Sequence, residues 1–338
     1  MKLLRYMKKN IFTILAIAVL LITATISCNK NTRVVDVVFQ KTSLTLMVGA
    51  TSVLPVYVIP PDATDQTLTW LSNNPDVATV QDGKVTAIAE GLAVVTVTTV
   101  DGNYKAKCGI KVIDLQEIEM VFVEGGTFTM GCTGDDCYYY EELPAHQVTL
   151  SSYSISKYLV TQKLWKTIMG YNPSCFIGDE HPVEQVSWYD TQNFIDKLNQ
   201  ITGKKYSLPT EAQWEFAAKG GNESNGTVYS GSNNIDEVAW YSYNSKQYTQ
   251  PVGTKTPNEL GIYDMSGNVY EWVNDWFEDY STLPQTDPQG AVSGYAKVAR
   301  GGGWFSADFA CRATFRVSGS PYKTSDYPGF RLALSEPE

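Results

Sequence analysis

The strongest constraint on the fold is a residue pattern that holds for some eighty positions and then changes. Between residues 34 and 113, short β-branched runs alternate with turn residues. Leu44, Leu46 and Val48 occupy alternate positions until Gly49 breaks the run, and Val56 and Val58 stop at Pro60-Pro61. Thr67 to Trp70, Val85 to Ala87 and Ala93 to Val97 continue the pattern. Asp62 to Thr64, Ser72 to Pro75 and Gln81 to Gly83 supply turns between them. Short apolar runs at even spacing, punctuated by Gly, Pro and Asn, predict a small all-β sandwich. Residues 114–118 form a join, and from Met120 the chain becomes Gly-rich with a few helix signals. Ser187 is placed to cap a helix from Trp188 to Ile201, with Gly203 ending it. Thr210 and Gln213 form a capping-box pattern before Trp214, Phe216 and Ala217, and a third helix follows Thr161 through Met169. The rest alternates short strands with long loops, which are uncommon in compact domains and often functional. The fold class is therefore α+β.

The N-terminus carries a different signal. Lys2, Arg5, Lys8 and Lys9 precede an apolar run from Ile11 to Ile22, and Ser27 then precedes Cys28. A charged start, a short apolar stretch and a small residue form a secretory signal peptide over residues 1–27. The run is short for a spanning helix, which needs about 20 residues. The position of Cys28 resembles a lipobox, where the cysteine becomes the lipidated first residue. Residues 28–33 are then a linker from the anchor. Plain secretion without a lipid is the alternative. Several acyl chains on one cysteine would hold a membrane far better than one. The expected location is extracytoplasmic and membrane-anchored, on the outer membrane or cell surface.

A formal net charge of -10 argues against a nucleic-acid partner, which would need clustered Lys and Arg. Beyond Cys28 the cysteines are Cys108, Cys132, Cys137, Cys175 and Cys311, an odd number that leaves a free thiol or an intermolecular bridge. Cys132 and Cys137 flank a tight loop and suggest a local disulfide. Cys108 falls in a last strand and reads as a buried small apolar residue. With two His in the chain, His146 and His181, and no CxxC pair, a zinc site is not expected. Both His sit in strings that read as structural. No nucleophile elbow, P-loop or dinucleotide fingerprint occurs.

The string from Ser43 to Val97 resembles the group 2 bacterial Ig-like domain, a module that usually serves as a spacer or adhesive stalk, and the resemblance implies Trp70 as its core aromatic. In the second region several blocks occur in a fixed order. Val121 to Gly131 opens the series, followed by His146 to Leu150, Val160 to Gln162, His181 to Val183 and Val186 to Trp188. Leu208 to Ala217, Gly261 to Trp272, Arg300 to Gly302 and Gly329 to Arg331 complete it. Together they resemble the sulfatase-modifying factor family, which includes the formylglycine-generating enzyme, over residues 118–335. The resemblance implies a loop-rich variant of the C-type lectin fold.

Fold does not settle function. The family's enzymes carry two cysteines, five residues apart, in a Gly-Gly-Ser-Tyr-x-Cys segment near the C-terminus. Their thiolates hold copper(I), which activates dioxygen to oxidise a sulfatase cysteine to formylglycine. Copper(I) is soft and prefers such ligands. Here Cys311 matches the second cysteine, Ser306 takes the first one's place, and Gly303 takes the serine's. A serine hydroxyl is a poor ligand for copper(I), so copper is not expected, and Cys311 is catalytic only if the chain is an enzyme after all. Otherwise it is a buried apolar residue. Sulfoxide synthases of the family need a further iron-binding domain that these residues do not supply.

The resemblance also implies a calcium site of the Asp264 and Glu271 side chains with the Gly267 and Val269 carbonyls. Hard cations want such oxygen sets, and Gly267 permits the turn that aims the carbonyls inward. The alternative is a turn whose acids cap backbone amides. The expected function is an Ig-like stalk presenting a noncatalytic domain for protein or glycan binding or envelope assembly. Tyr138, Tyr139 and Tyr140 are candidate contact aromatics, the alternative being that they pack down on the domain. The alternative is a copper-dependent formylglycine-generating oxidase.

Overall fold

Alternating β-branched residues become strands wherever one face finds a core. The computed structural model describes residues 31–335 apart from 116, 134–136, 138 and 326. The signal segment, Cys28 and Tyr138 lie outside the described residues. Among those described, no helix is long and apolar enough to cross a membrane.

The first region is all-β. Its main sheet runs Ser43–Met47, Lys105–Ile113, Gly91–Thr99, Leu68–Ser72, with the first pair parallel and the others antiparallel. A three-stranded sheet of Thr51–Val53, Lys84–Ala87 and Ala78–Gln81 packs with it, and Asp36–Phe39 pairs with Val56–Ile59. Val85, Val95, Cys108, Ile110 and Val112 form the buried core. Cys108 is packed as expected. Trp70 is only partly buried and lies against this core, its ring 5.9 Å from Phe39.

The last strand of this sandwich leads directly into the second region's core. Ile113 is buried in one cluster with Trp165, Phe194 and Phe330, and Met47 and Leu115 pack against it. Lys111 Nζ also donates to the Thr167 carbonyl at 3.0 Å.

Among the described residues, the second region has three helices of eight residues or more, besides the single turn Ile235–Val238, and each of the three is started by a residue type that satisfies orphan amides. α1 (Gln162–Met169) is capped by Thr161, which accepts from Leu164 N, and ends at the left-handed Gly170. α2 (Trp188–Thr202) begins in a capping box of Ser187 and Asp190 and ends at Gly203. α3 (Glu211–Ala218) begins in the capping box of Thr210 and Gln213. Around them lie three small sheets. One orders Met120–Val123, Tyr153–Ser156, Ala333–Ser335, Tyr206–Ser207, and another Gly126–Met130, His146–Leu150, Gln285–Thr286. The third orders Arg316–Gly319, Lys297–Arg300, Tyr270–Trp276, Pro328–Phe330. The architecture is the expected α+β arrangement, an all-β sandwich followed by a loop-rich domain.

Loops this long lack ladder hydrogen bonds, and buried ion pairs tie them together instead. Arg300, wholly buried, donates to Glu211 Oε1 at 2.6 Å, Glu215 Oε2 at 2.7 Å and the Ala313 carbonyl at 2.8 Å. Arg316 grips both oxygens of Glu211 at 2.7 and 2.6 Å. Lys219 Nζ holds Glu215 Oε1 at 2.6 Å. Burial pushes the Glu215 carboxyl up, but Lys219 and Arg300 overcome it and pull it down to about 2. Glu211 and Glu215 thus pin α3 to the Lys297–Arg300 and Arg316–Gly319 strands.

Arg300→Met roughly keeps the volume but removes one of the two cations from each of two buried carboxylates, leaving Glu211 to Arg316 and Glu215 to Lys219. The expected loss is about 3–5 kcal/mol, the usual cost of removing one partner from a buried pair. Denaturant titration, followed through the transition of the second domain, measures it. A loss below about 1 kcal/mol, the range of an exposed pair, contradicts this role.

Candidate functional site

The Gly301-Gly302-Gly303 turn organises the segment where the family's chemistry would lie. Gly301 and Gly302 have φ of 92° and 73°, a conformation that favours glycine. A Cβ on Gly302 would stand 2.7 Å from Cys311 Sγ, so the thiol lies directly beneath the turn. Ser306 Oγ accepts from Gly303 N at 2.9 Å, and Ser306 N donates back to the Gly303 carbonyl at 2.9 Å. A short 3-10 turn, Asp308–Cys311, carries the cysteine inward. The turn thus collects Gly303, Ser306 and Cys311 at one place.

Cys311 is nonetheless a core residue. It is 0% exposed, among Ala239 and Tyr241. Its Sγ lies 3.9 Å from the Ala307 carbonyl, a weak contact. Burial pushes the thiol up to about 12, with Asp308 adding in the same direction. A thiol so placed is not a thiolate near neutral pH, and the thiolate is the form that binds metal and attacks electrophiles. Ser306 is already committed to the turn. The pair supplies at most one of the two soft ligands that copper(I) needs, and that one is a buried, protonated thiol, so these residues do not fit that ion.

Over this buried centre sits a rim of aromatic rings. Phe305 packs 4.2 Å from Tyr327 and 5.3 Å from Trp304, and Trp304 lies 5.1 Å from Phe176. Phe305, Tyr327 and Phe309 each keep about 40% of their surface in solvent. Tyr139 packs down on the domain. It stacks on Phe309 at 5.1 Å and meets Phe315 edge-on at 5.1 Å. Tyr140 is the exposed one of the two, at 71%.

Asp264, Gly267, Val269 and Glu271 are all described, and the turn brings the two acids near each other. Gly267 has φ 81°, and any Cβ there would collide with the Trp240 carbonyl. Arg331 grips both oxygens of Glu271, at 2.6 and 2.8 Å, and also holds the Ser156 and Tyr263 carbonyls. Asp264 accepts from Gly253 N at 2.7 Å and lies 3.4 Å from Asn268 Nδ2. Burial pushes its carboxyl up to about 6, against the pull of the Gly253 amide and Arg331. A buried carboxylate short of positive charge fits a cation. Glu271 fits less well, because Arg331 already balances it. No group of three or more His, Cys, Asp or Glu is arranged for a metal among the described residues, so calcium here would rest on carbonyl oxygens.

Both His are packed. His146 is buried against Tyr280 at 5.1 Å, and His181 Nδ1 lies 3.0 Å from Thr249 Oγ1, with burial lowering its pKa. Sequence reading missed Asp275, which accepts from Glu211 N at 2.8 Å and so satisfies the first amide of α3. It also missed the guanidinium partners of Glu211 and Glu215. The signal was present in part, since two acids at i and i+4 share a helix face.

The geometry agrees with the similarities found. The model of the sulfatase-modifying factor enzyme 1-like domain matches residues 111–336, and that of the group 2 bacterial Ig-like domain matches residues 33–110. The chain belongs to the sulfatase-modifying factor enzyme 1-like family, with an Ig-like domain ahead of that fold. It is 38% identical over 239 residues to the chaperone protein LppX of Paenibacillus barcinonensis, covering 56% of this chain and 79% of that protein. It is 35% identical over 188 residues to the formylglycine-generating enzyme of Streptomyces coelicolor, covering 50% and 57%. A serine/threonine-protein kinase Pkn1 of Chlamydia trachomatis is 32% identical, with 64% of this chain aligned to 38% of that protein. Among solved structures, Treponema denticola variable protein 1 aligns with a TM-score of 0.58 and 31% identity, covering 71% of this chain and 98% of that one. PvdO from Pseudomonas aeruginosa gives 0.56 and 30%, covering 64% and 94%.

Proposed function

We propose that this chain is an extracytoplasmic lipoprotein, anchored through Cys28, whose second domain is noncatalytic. The Ig-like domain presents that domain for binding a protein or glycan, or for envelope assembly. The observation that carries the reading is Cys311: fully buried, its thiol pushed up to about 12, with Ser306 in its partner's place. The exposed part of the aromatic rim suits contact, since rigid rings give area at low entropic cost. Similarity to a protein named as a chaperone favours a protein ligand. The second reading is formylglycine generation, favoured by 35% identity to a bacterial enzyme of that name.

Mass spectrometry of a peptide carrying a sulfatase cysteine motif separates the two. After aerobic incubation with copper, the peptide is expected to keep its thiol mass. A thiol-to-aldehyde change that disappears in Cys311→Ala would establish the enzyme.

We also propose a calcium ion held by Asp264 and Glu271 with the Gly267 and Val269 carbonyls. Its support is the buried Asp264 carboxyl. A ligand bound by the native state alone stabilises it by about 2.7 kcal/mol at a hundredfold excess over Kd. Chelation is therefore expected to lower the Tm, and Asp264→Asn to remove that response. The sign with pH follows from Asp264. Its folded pKa, about 6, lies above the ordinary 3.8, so without calcium stability falls as pH rises between those values. Calcium removes that fall. An unmoved melting curve and no calcium by elemental analysis leave only a turn.

A further inference from the structure

A recess of about 340 Å³ opens beside the N-terminus of α3, away from the Ser306 and Cys311 turn, and its chemistry is unused by the reading above. Glu211, Asp275, Glu278, Asp279 and Arg316 line it. Glu211 and Arg316 cancel, since the guanidinium grips both Glu211 oxygens. Three carboxylates remain. Glu278 and Asp279 stand exposed at the rim, whereas Asp275 is 94% buried, its relative exposure being 6%.

Asp275 is the informative group. Its Oδ2 is held by Glu211 N at 2.8 Å. Its Oδ1 makes no hydrogen bond, and no ion pair reaches the side chain, among the described residues. Lys297 and Arg316 both attract it, but neither comes within ion-pair distance of the side chain. The Lys297 ammonium donates to the Asn274 carbonyl at 2.7 Å and sits between the Trp188 and Trp276 rings, 4.0 and 3.9 Å from their centroids. Buried carboxylates are normally paired, because an uncompensated buried charge is expensive. Gly290, also in the lining, keeps the approach open. It has φ 70°, and a Cβ there would stand 2.8 Å from Asp275 Oδ1.

The occupant follows from what Oδ1 offers. A guanidinium binds best as a flat fork across both oxygens of one carboxylate, and here Oδ2 is turned to the Glu211 amide. Calcium needs six to eight oxygens, and among the described residues no three of His, Cys, Asp or Glu are grouped here to supply them, while Arg316 already occupies Glu211. A quaternary ammonium has no proton to donate to Oδ1. A primary ammonium carries three donors on a compact head and tolerates aromatic neighbours. Tyr280 and Trp276 supply these. We propose that the recess binds a primary ammonium group, from a lysine side chain or a free polyamine, with Asp275 Oδ1 as its principal acceptor and Glu278 and Asp279 as the attracting rim. Burial and the neighbouring Glu211 push the Asp275 carboxyl up to about 7, against the pull of the Glu211 amide, Lys297 and Arg316.

Isothermal titration of the folded protein tests this with cadaverine, Nα-acetyl-lysine amide and N,N′-diacetylcadaverine. At least one of the first two is expected to bind with single stoichiometry, and the diacetyl compound not at all. Tighter binding of the lysine amide identifies a side chain as the source, and tighter binding of cadaverine a free polyamine. Gly290→Ala is expected to weaken binding about tenfold, which is about 1.4 kcal/mol, by filling the space beside Oδ1. Asp279→Asn removes a rim charge without touching the core and is expected to weaken it about threefold, less at high salt. Asp275→Asn is expected to abolish binding, with its melting curve read alongside because the residue also caps α3. Failure of both amines to bind at millimolar concentration, equal binding of the diacetyl compound, or wild-type affinity in Gly290→Ala would overturn the proposal.

Discussion

The second domain depends on one buried lattice of charge, in which Arg300 and Arg316 clasp Glu211 and Glu215 on α3. The lattice spans distant parts of the chain. Arg300 lies 89 residues after Glu211, and Arg316 lies 105 residues after it. Sheets of three or four short strands cannot alone fix so much irregular backbone. Guanidinium groups can, because each also reaches a loop carbonyl: Ala313 for Arg300, Glu278 for Arg316. A lattice of this kind gains little net stability, since desolvation offsets attraction. Its consequence is geometric. It sets one position for α3, and with it the Arg300-Gly301-Gly302 turn and the wall of the recess beside Asp275.

The same logic repeats at the Glu271 and Arg331 pair, which joins the Tyr270–Trp276 strand to the chain's last strands. That pair explains why the proposed calcium site is asymmetric. Arg331 satisfies Glu271, and Asp264 is left with amide partners and a raised pKa. One acid is structural, while the other has reason to seek a cation.

Much of the fold was legible in the sequence because its causes are local. Ser187, Thr210 and Thr161 each cap the helix they announce, and Gly203 ends its helix in the left-handed region. The strand alternation of the first domain appears where β-branched residues marked it, and Cys132 pairs with Cys137 across the short loop. What escaped depends on distant partners. Trp70 reads as a core aromatic, yet Val85, Val95 and Cys108 fill the centre and leave its ring at the edge. Tyr138, Tyr139 and Tyr140 read either as contact aromatics or as rings packed on the domain, and local sequence could not tell that Tyr139 lies on Phe309 while Tyr140 is exposed. Asp275 reads as an acid among aromatics, and its partner amide lies 64 residues earlier. At the family's reactive segment the substitution by Ser306 was plain in the sequence, but the complete burial of Cys311 was not.

That burial is the physical centre of the functional reading, because chemistry at this turn requires a thiolate and the fold keeps a protonated thiol inside. The contrast with Cys175, which is exposed, gives an internal control. Native protein treated briefly with iodoacetamide, then digested and mapped by mass spectrometry, reports each thiol separately. Cys175 is expected to be alkylated, with Cys108 and Cys311 modified only after denaturation. Rapid alkylation of Cys311 in the folded protein, at a rate comparable to Cys175 or faster, would contradict the buried-thiol account and return the domain to the enzymes of its family.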